Sequence, residues 1–136
     1  MPNMHSICEQ FGHILGGNYS LHDGLRSVEV KRSTLNVTIL GRPTLSNHAV
    51  GAMFSFESLD QQEYALNLGE TALLHDEAYP FTLALQQQGI LVNSLHNHWL
   101  FVNPPLVFVR FSSIENPLSF ARKVLYAFQQ IVKPAI

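Results

Sequence analysis

Ser94, Leu95, His96, Asn97, His98 and Trp99 form the densest polar signal in this 136-residue chain, set inside a largely apolar run from Gly89 to Leu100. On a strand, residues two apart point to the same side. His96 and His98 are therefore expected to present both imidazoles to one divalent cation, zinc for example, at about 2.0–2.1 Å. Two histidines are half of a metal site. The third ligand, or a general base, would come from His75, Asp76, Glu77, His48 or Glu70, none of them adjacent in sequence. The plainer alternative is that His96 and Asn97 bond to neighbouring backbone while His98 sits on a solvated edge.

Other familiar constellations fit poorly. The HNH nucleases take their name from residues well separated in sequence and act on a basic surface, whereas Lys plus Arg total 8 here against 10 Asp plus Glu. The cupin barrel also opens with H-x-H but expects a nearby glutamate, where this chain has Val102 and Asn103. Gly16, Gly17 and Asn18 lack the lysine and flanking elements of a phosphate loop and read as a turn. Asp76, between Leu74 and the next apolar periodicity, reads as a helix-capping carboxylate. No G-x-S-x-G elbow is present, and Cys8 has no reactive neighbourhood in sequence, so nothing supports covalent catalysis.

The elements that must position these residues follow from periodicity. Leu25 to Lys31 and Leu35 to Leu40 alternate apolar with polar as half-buried strands do, and Arg32, Ser33 and Thr34 read as the hairpin turn between them. His48 to Glu57 and Tyr64 to Leu74 read as two longer strands joined by Ser58 to Gln62. Asp76, Glu77 and Pro80 mark a helix start, with the proline in the first turn, and Gly89 marks its stop. Ala78, Phe81, Leu85 and Gln88 would form its inner stripe. Ile90 to Leu100 and Leu106 to Ser112 are β-rich and separated by Asn103, Pro104 and Pro105. Asn116 and Pro117 open a last helix with Leu118, Ala121, Leu125, Phe128 and Val132 on one face. The phenylalanines of the strands, Phe54, Phe56, Phe101, Phe108 and Phe111, read as core, and Trp99 is expected to face away from the histidine pair. The order ββββαββα predicts an α+β fold, a mostly antiparallel sheet with two helices on one face, in a single domain over residues 1–136 with its core at about 11–132.

Composition bounds the rest. Charged residues are only 13% of the chain and hydrophobic ones 46%, so the surface is thinly charged and a homodimer through an apolar face or edge is expected. A net charge of −2 argues against nucleic acid and anionic membranes as partners. No apolar run reaches a spanning length. The single cysteine, Cys8, leaves the fold independent of an oxidising compartment, and Met1 to Ile7 is no basic segment followed by an apolar stretch, so a cytoplasmic protein is expected. Protonation of all seven histidines would carry the formal charge from −2 to +5, a hint of acid sensitivity.

Arg32 to Val37, then Leu68 to Leu74 with Asp76 and Glu77, then Gly89, Ile90 and Ser94 to Leu100 together resemble the LppY/LpqO family of bacterial proteins. That family's pattern runs R-x-D-L-x-V, G-D-x-V-L-x-x-x-E-V and G-I-x-x-T-A-L-H-N-H. The resemblance spans Phe11 to Phe128, and the Leu95-His96-Asn97-His98 element is its most specific part. Relatives are often lipoproteins or secreted proteins with two such domains and carry no assigned function. This chain departs from them at Thr34, where aspartate is usual, at Val102 and Asn103, where an acidic residue is common, and at Arg110, where many have histidine. If those positions hold a metal in relatives, this chain has lost two ligands, and Arg110 would favour an anion or carboxylate. Three readings follow: a binding domain for a small molecule or anion using His96, Asn97, His98, Arg110 and Glu70; a small metal-dependent hydrolase or lyase with His96, His98 and His75 as ligands; or a structural module.

Overall fold

The computed structural model describes residues 3–22 and 25–131. Its elements are α1 (Met4–Leu15), β1 (Tyr19–His22), β2 (Leu25–Lys31), β3 (Val37–Ile39), β4 (Arg42–Thr44), α2 (Asn47–Val50), β5 (Gly51–Glu57), β6 (Ala65–Leu74), α3 (His75–Gln87), β7 (Leu91–His96), β8 (Val102–Asn103), β9 (Leu106–Glu115) and α4 (Pro117–Gln129). Six strands form one sheet in the order β1-β2-β5-β6-β9-β7, and β4-β3-β8 form a second, small one. Every pairing among the described residues is antiparallel. The fold is α+β with a mostly antiparallel sheet, as the two-residue alternation requires.

That alternation decides which face is covered. Val28 on β2, Phe54 and Phe56 on β5, Leu73 on β6, and Val109 and Phe111 on β9 are buried together against Phe11, Phe81, Leu85, Phe120 and Val124 of the helices. The rings interlock: Phe81 meets Phe128 at 4.9 Å between centroids, and Phe11 meets Phe56 at the same distance, spacings at which edge-to-face contacts are attractive. Three long helices cover this face, one more than the sequence predicts. The added one is α1, which buries Ile7, Cys8 and Phe11 with Met4, Ile14 and Leu15 packed beside them, a spacing of three and four residues that marks a helix along its whole length. It ends on Gly16 at φ 85°, whose N–H and that of Gly17 both donate to the Gly12 carbonyl at 2.9 Å. The Gly16-Gly17-Asn18 turn is thus a helix cap.

Several local expectations need correction. Arg32 to Thr34 make no hairpin, because β2 pairs with β5 and β3 belongs to the small sheet. His48 to Val50, expected to start a strand, belong to the one helical turn Asn47–Val50 capped by Ser46, and the strand begins at Gly51. Pro80 is the sixth residue of α3, not in its first turn. The buried stripe of α3 is Glu77, Phe81, Ala84 and Leu85, and that of α4 is Pro117, Phe120, Ala121, Val124 and Ala127. Leu125 turns outward at 39% exposure, and Val132 lies outside the described residues. Phe101, expected in the core, is 76% exposed. The chain leaves the sheet after His96 and passes Phe101 at φ 57°, in the left-handed region.

The caps at α4 are as the sequence indicates. Asn116 Oδ1 accepts the N–H groups of Leu118 and Ser119 at 2.9 and 3.4 Å, with Pro117 in the first turn. Asn116→Ala is expected to lower unfolding free energy by about 1 kcal/mol, read as a fall in the urea midpoint with an unchanged slope.

Candidate functional site

The second face of the large sheet is covered over only part of its area. Near the His96 end, the small sheet and α2 pack down through Leu35, Val37, Ala49 and Val50 onto Ala72, Leu106 and Phe108. The rest of this face is open. Register carries a row of side chains across it: Glu29 pairs with Met53, Met53 with Glu70, Glu70 with Arg110, and Arg110 with Ser94. The next row is Ser27, Ser55, Leu68 and Ser112.

Two cavities lie on these rows. One, of about 450 Å³, is lined by Leu25, Met53, Ser55, Glu57, Leu68, Gly69, Glu70, Asn93, Arg110 and Phe111. The other, of about 430 Å³, is lined by Glu29, Asn47, His48, Gly51, Ala52, Met53, Glu70, His98 and Phe108. Met53 and Glu70 belong to both, so the two form one trough divided by a pair of side chains. Each is within the size range of small-molecule sites. A further depression of about 650 Å³ runs along the end of α1, past Gly16 and Gly17. The N–H groups of those glycines are already taken by the Gly12 carbonyl and offer no anion cradle.

The walls are built by identifiable local features. β7 carries a bulge between Val92 and Ser94, which adds a residue and turns its side chain. Asn93 accordingly accepts from the Ser112 hydroxyl at 2.9 Å and lines the first cavity. Gly69 lies opposite Phe111, and a Cβ there would stand 2.2 Å from the ring. Only glycine lets that ring lie across β6. Ser55 is 5% exposed on the floor of the same cavity, and its hydroxyl has no hydrogen-bond partner among the described residues.

Each residue singled out from sequence can now be placed. Glu70 and Arg110 face each other across β6 and β9, with Arg110 Nε 3.4 Å from Glu70 Oε2 and the guanidinium side chain 56% exposed. So exposed a pair contributes about 0–1 kcal/mol, and Glu70 already answers the Arg110 charge. His98 lines the second cavity. Its Nδ1 lies 3.2 Å from the His48 carbonyl oxygen, and Trp99 Nε1 donates to the same oxygen at 2.9 Å. With the proton on Nδ1, His98 keeps its Nε2 lone pair for a ligand. Trp99 therefore sits beside His98, ring centroids 5.1 Å apart, rather than on the opposite side as strand alternation requires. The strand ends at His96, and alternation ends with it.

His96 and His98 do come together, 5.8 Å between ring centroids, because both lie against Phe108 at 6.3 and 4.6 Å. Asn97 is exposed between them. Among the described residues no three of His, Cys, Asp and Glu are grouped so as to hold a metal ion, so His75, exposed at the start of α3, does not join the pair. Glu77 is engaged elsewhere: its two oxygens accept from the two terminal nitrogens of Arg32 at 2.6 and 2.9 Å, and Oε1 also accepts the Leu74 N–H at 2.8 Å. Glu77, three residues past the N-cap position, thus supplies the capping carboxylate expected of Asp76.

Cys8 is buried. Burial raises its thiol above the usual value, an effect partly offset by Arg26, and such a thiol is inert as a nucleophile. Glu29, Asn47, Met53, Ser55, Leu68 and Asn93 were not singled out by type or spacing. The available signal was alternation: Ser55 between Phe54 and Phe56 must face away from the core.

No helix among the described residues is long and apolar enough to cross a membrane. Fold and site together define an α+β domain whose sheet is sealed by helices on one face and carries a polar-edged trough on the other. The chain belongs to the family described as Domain of Unknown Function (DUF1259), whose family model matches residues 9–130. No curated protein and no solved structure matches it.

Proposed function

We propose that this chain is a small binding domain of the LppY/LpqO type whose ligand lies in the trough on the open sheet face. The observation that carries this reading is the trough itself: two adjoining cavities sharing Met53 and Glu70, on a face that a folding domain would otherwise cover. A soluble domain leaves a concave, partly apolar surface open when something binds there. Arg110, Glu70, Asn93 and His98 provide convergent polar groups at its edges. Of the polar cluster read from sequence, His98, Glu70 and Arg110 act at the ligand, while His96 supports His98 through Phe108.

A thermal-shift screen of small metabolites tests this. A ligand at one hundred times its Kd stabilises the domain by about 2.7 kcal/mol, several degrees for a chain of this size. Leu68→Trp fills the first cavity from a side chain already 40% exposed and is expected to abolish the shift with little change in the unliganded midpoint. A shift that survives in Leu68→Trp would move the binding site elsewhere.

A further inference from the structure

We infer that the ligand of this trough is an amphiphilic cation, an amine or amidine-type group carried on an apolar body. The inference rests on the trough being the binding site and concerns which chemistry it selects. The first cavity supplies the apolar part, through the side chains of Leu25, Met53 and Leu68. The fixed charges of the trough are unbalanced. Glu29, Glu57 and Glu70 line it, and Arg110 is the single lysine or arginine among the lining residues. Arg110 is already beside Glu70, and among the described residues the Glu29 carboxylate accepts only from the neutral amide of Asn47, at 3.2 Å. An anion entering toward His98 would meet Glu29 and Glu70 at short range, whereas a cation would complete them.

The second, independent observation is Ser55. It is 5% exposed on the cavity floor, and its hydroxyl makes no hydrogen bond to another described residue, so its oxygen is open to a ligand donor. Met53 pairs with Glu70 and Ser55 with Leu68, which makes Ser55 and Glu70 diagonal neighbours on one face of β5 and β6. An ammonium group held between them would donate to the Ser55 oxygen and to the Glu70 carboxylate while its chain lies over Leu68 and Leu25. The anion that Arg110 suggested from sequence is disfavoured because Arg110 is not the free charge in the site.

Three probes of one length separate charge from fit: octylamine, octanol and octanoate, each titrated at low ionic strength below its aggregation concentration and followed by protein-observed NMR. Octylamine is expected to bind at least tenfold tighter than octanol and octanoate the weakest, with the preference shrinking as salt is added. Glu70→Gln should bring amine and alcohol within about threefold of each other; Glu29→Gln should narrow the gap as well and serves if the first variant unfolds. Ser55→Ala should weaken the amine more than octanoate. Octanoate binding in the trough as tightly as octylamine would overturn the cation while leaving the trough as the binding site. Failure of all three to shift trough amides would overturn the inference together with the binding site it rests on.

Discussion

Arg32→Ala is expected to lower the unfolding free energy by about 3–5 kcal/mol, the loss typical when one partner is removed from a buried ion pair. For a domain whose total stability is of order 5–15 kcal/mol, that is a large share. Arg32 closes β2, its own N–H donating to the Val50 carbonyl at 2.8 Å. Its guanidinium takes both oxygens of Glu77 and also donates to the Ala72 carbonyl at 3.1 Å. The two side chains are only 14% and 9% exposed. Removing the guanidinium leaves the Glu77 carboxylate buried at the first turn of α3, with only the Leu74 N–H to hold it. Arg32→Lys should recover only part of the loss, since an ammonium cannot make the two-pronged contact. The double variant Arg32→Ala/Glu77→Gln should be less destabilised than the sum of the singles. Urea denaturation of the parent, Arg32→Ala, Arg32→Lys, Glu77→Gln and the double variant checks this, and a loss below about 1 kcal/mol for Arg32→Ala would show that the pair is no more than a surface contact.

The second large effect is in the core on the helix-covered face, directly beneath β6 and β9. Phe111 is 1% exposed and lies 5.9–6.3 Å from the rings of Phe54, Phe81 and Phe120. Phe111→Ala is expected to cost about 3–5 kcal/mol through lost burial and the cavity left behind. The reverse error at the same spot is also costly: Gly69→Ala drives a methyl into that ring, and overpacking of this kind costs about 1–3 kcal/mol. Because the two residues face each other, the effects must couple. In a Phe111→Leu background, Gly69→Ala should cost less than half of what it costs in the parent protein. Additive losses would mean the ring moves aside freely and that glycine is not needed there.

These two positions also show what the sequence makes legible. Asn116 and Pro117 announce α4 because capping is a local matter of one side chain and two amides. The α3 start is likewise placed by Asp76 and Glu77, yet the role of Glu77 is invisible locally, since its partner Arg32 is 45 residues away. Partner choice between strands is equally non-local. Val28 and Val30 alternate as well for a hairpin with β3 as for the observed pairing with β5, and the turn-like Arg32-Ser33-Thr34 favours the hairpin that the structure does not form.

The site was half legible for the same reason. His98, Glu70 and Arg110 stand out by type and do line the trough. The strand rule that put His96 and His98 on one side was correct in outcome, although their meeting depends on Phe108 and on a chain that has already left the strand. It failed at Trp99, one residue on. Ser55, Asn93 and Glu29 are common residue types on ordinary strands, and only register and the β7 bulge bring them to one cavity.

Backbone amide shifts report residue by residue on the proposed binding of a small molecule to the open sheet face. Titration with a fragment mixture, followed by deconvolution of the hits, is expected to move the amides of Met53, Ser55, Leu68, Glu70, Asn93 and Arg110 together and to leave those of α1 and α4 in place. Hits that cluster instead along the end of α1, or shifts absent from the β5, β6 and β9 amides at millimolar fragment, would contradict it.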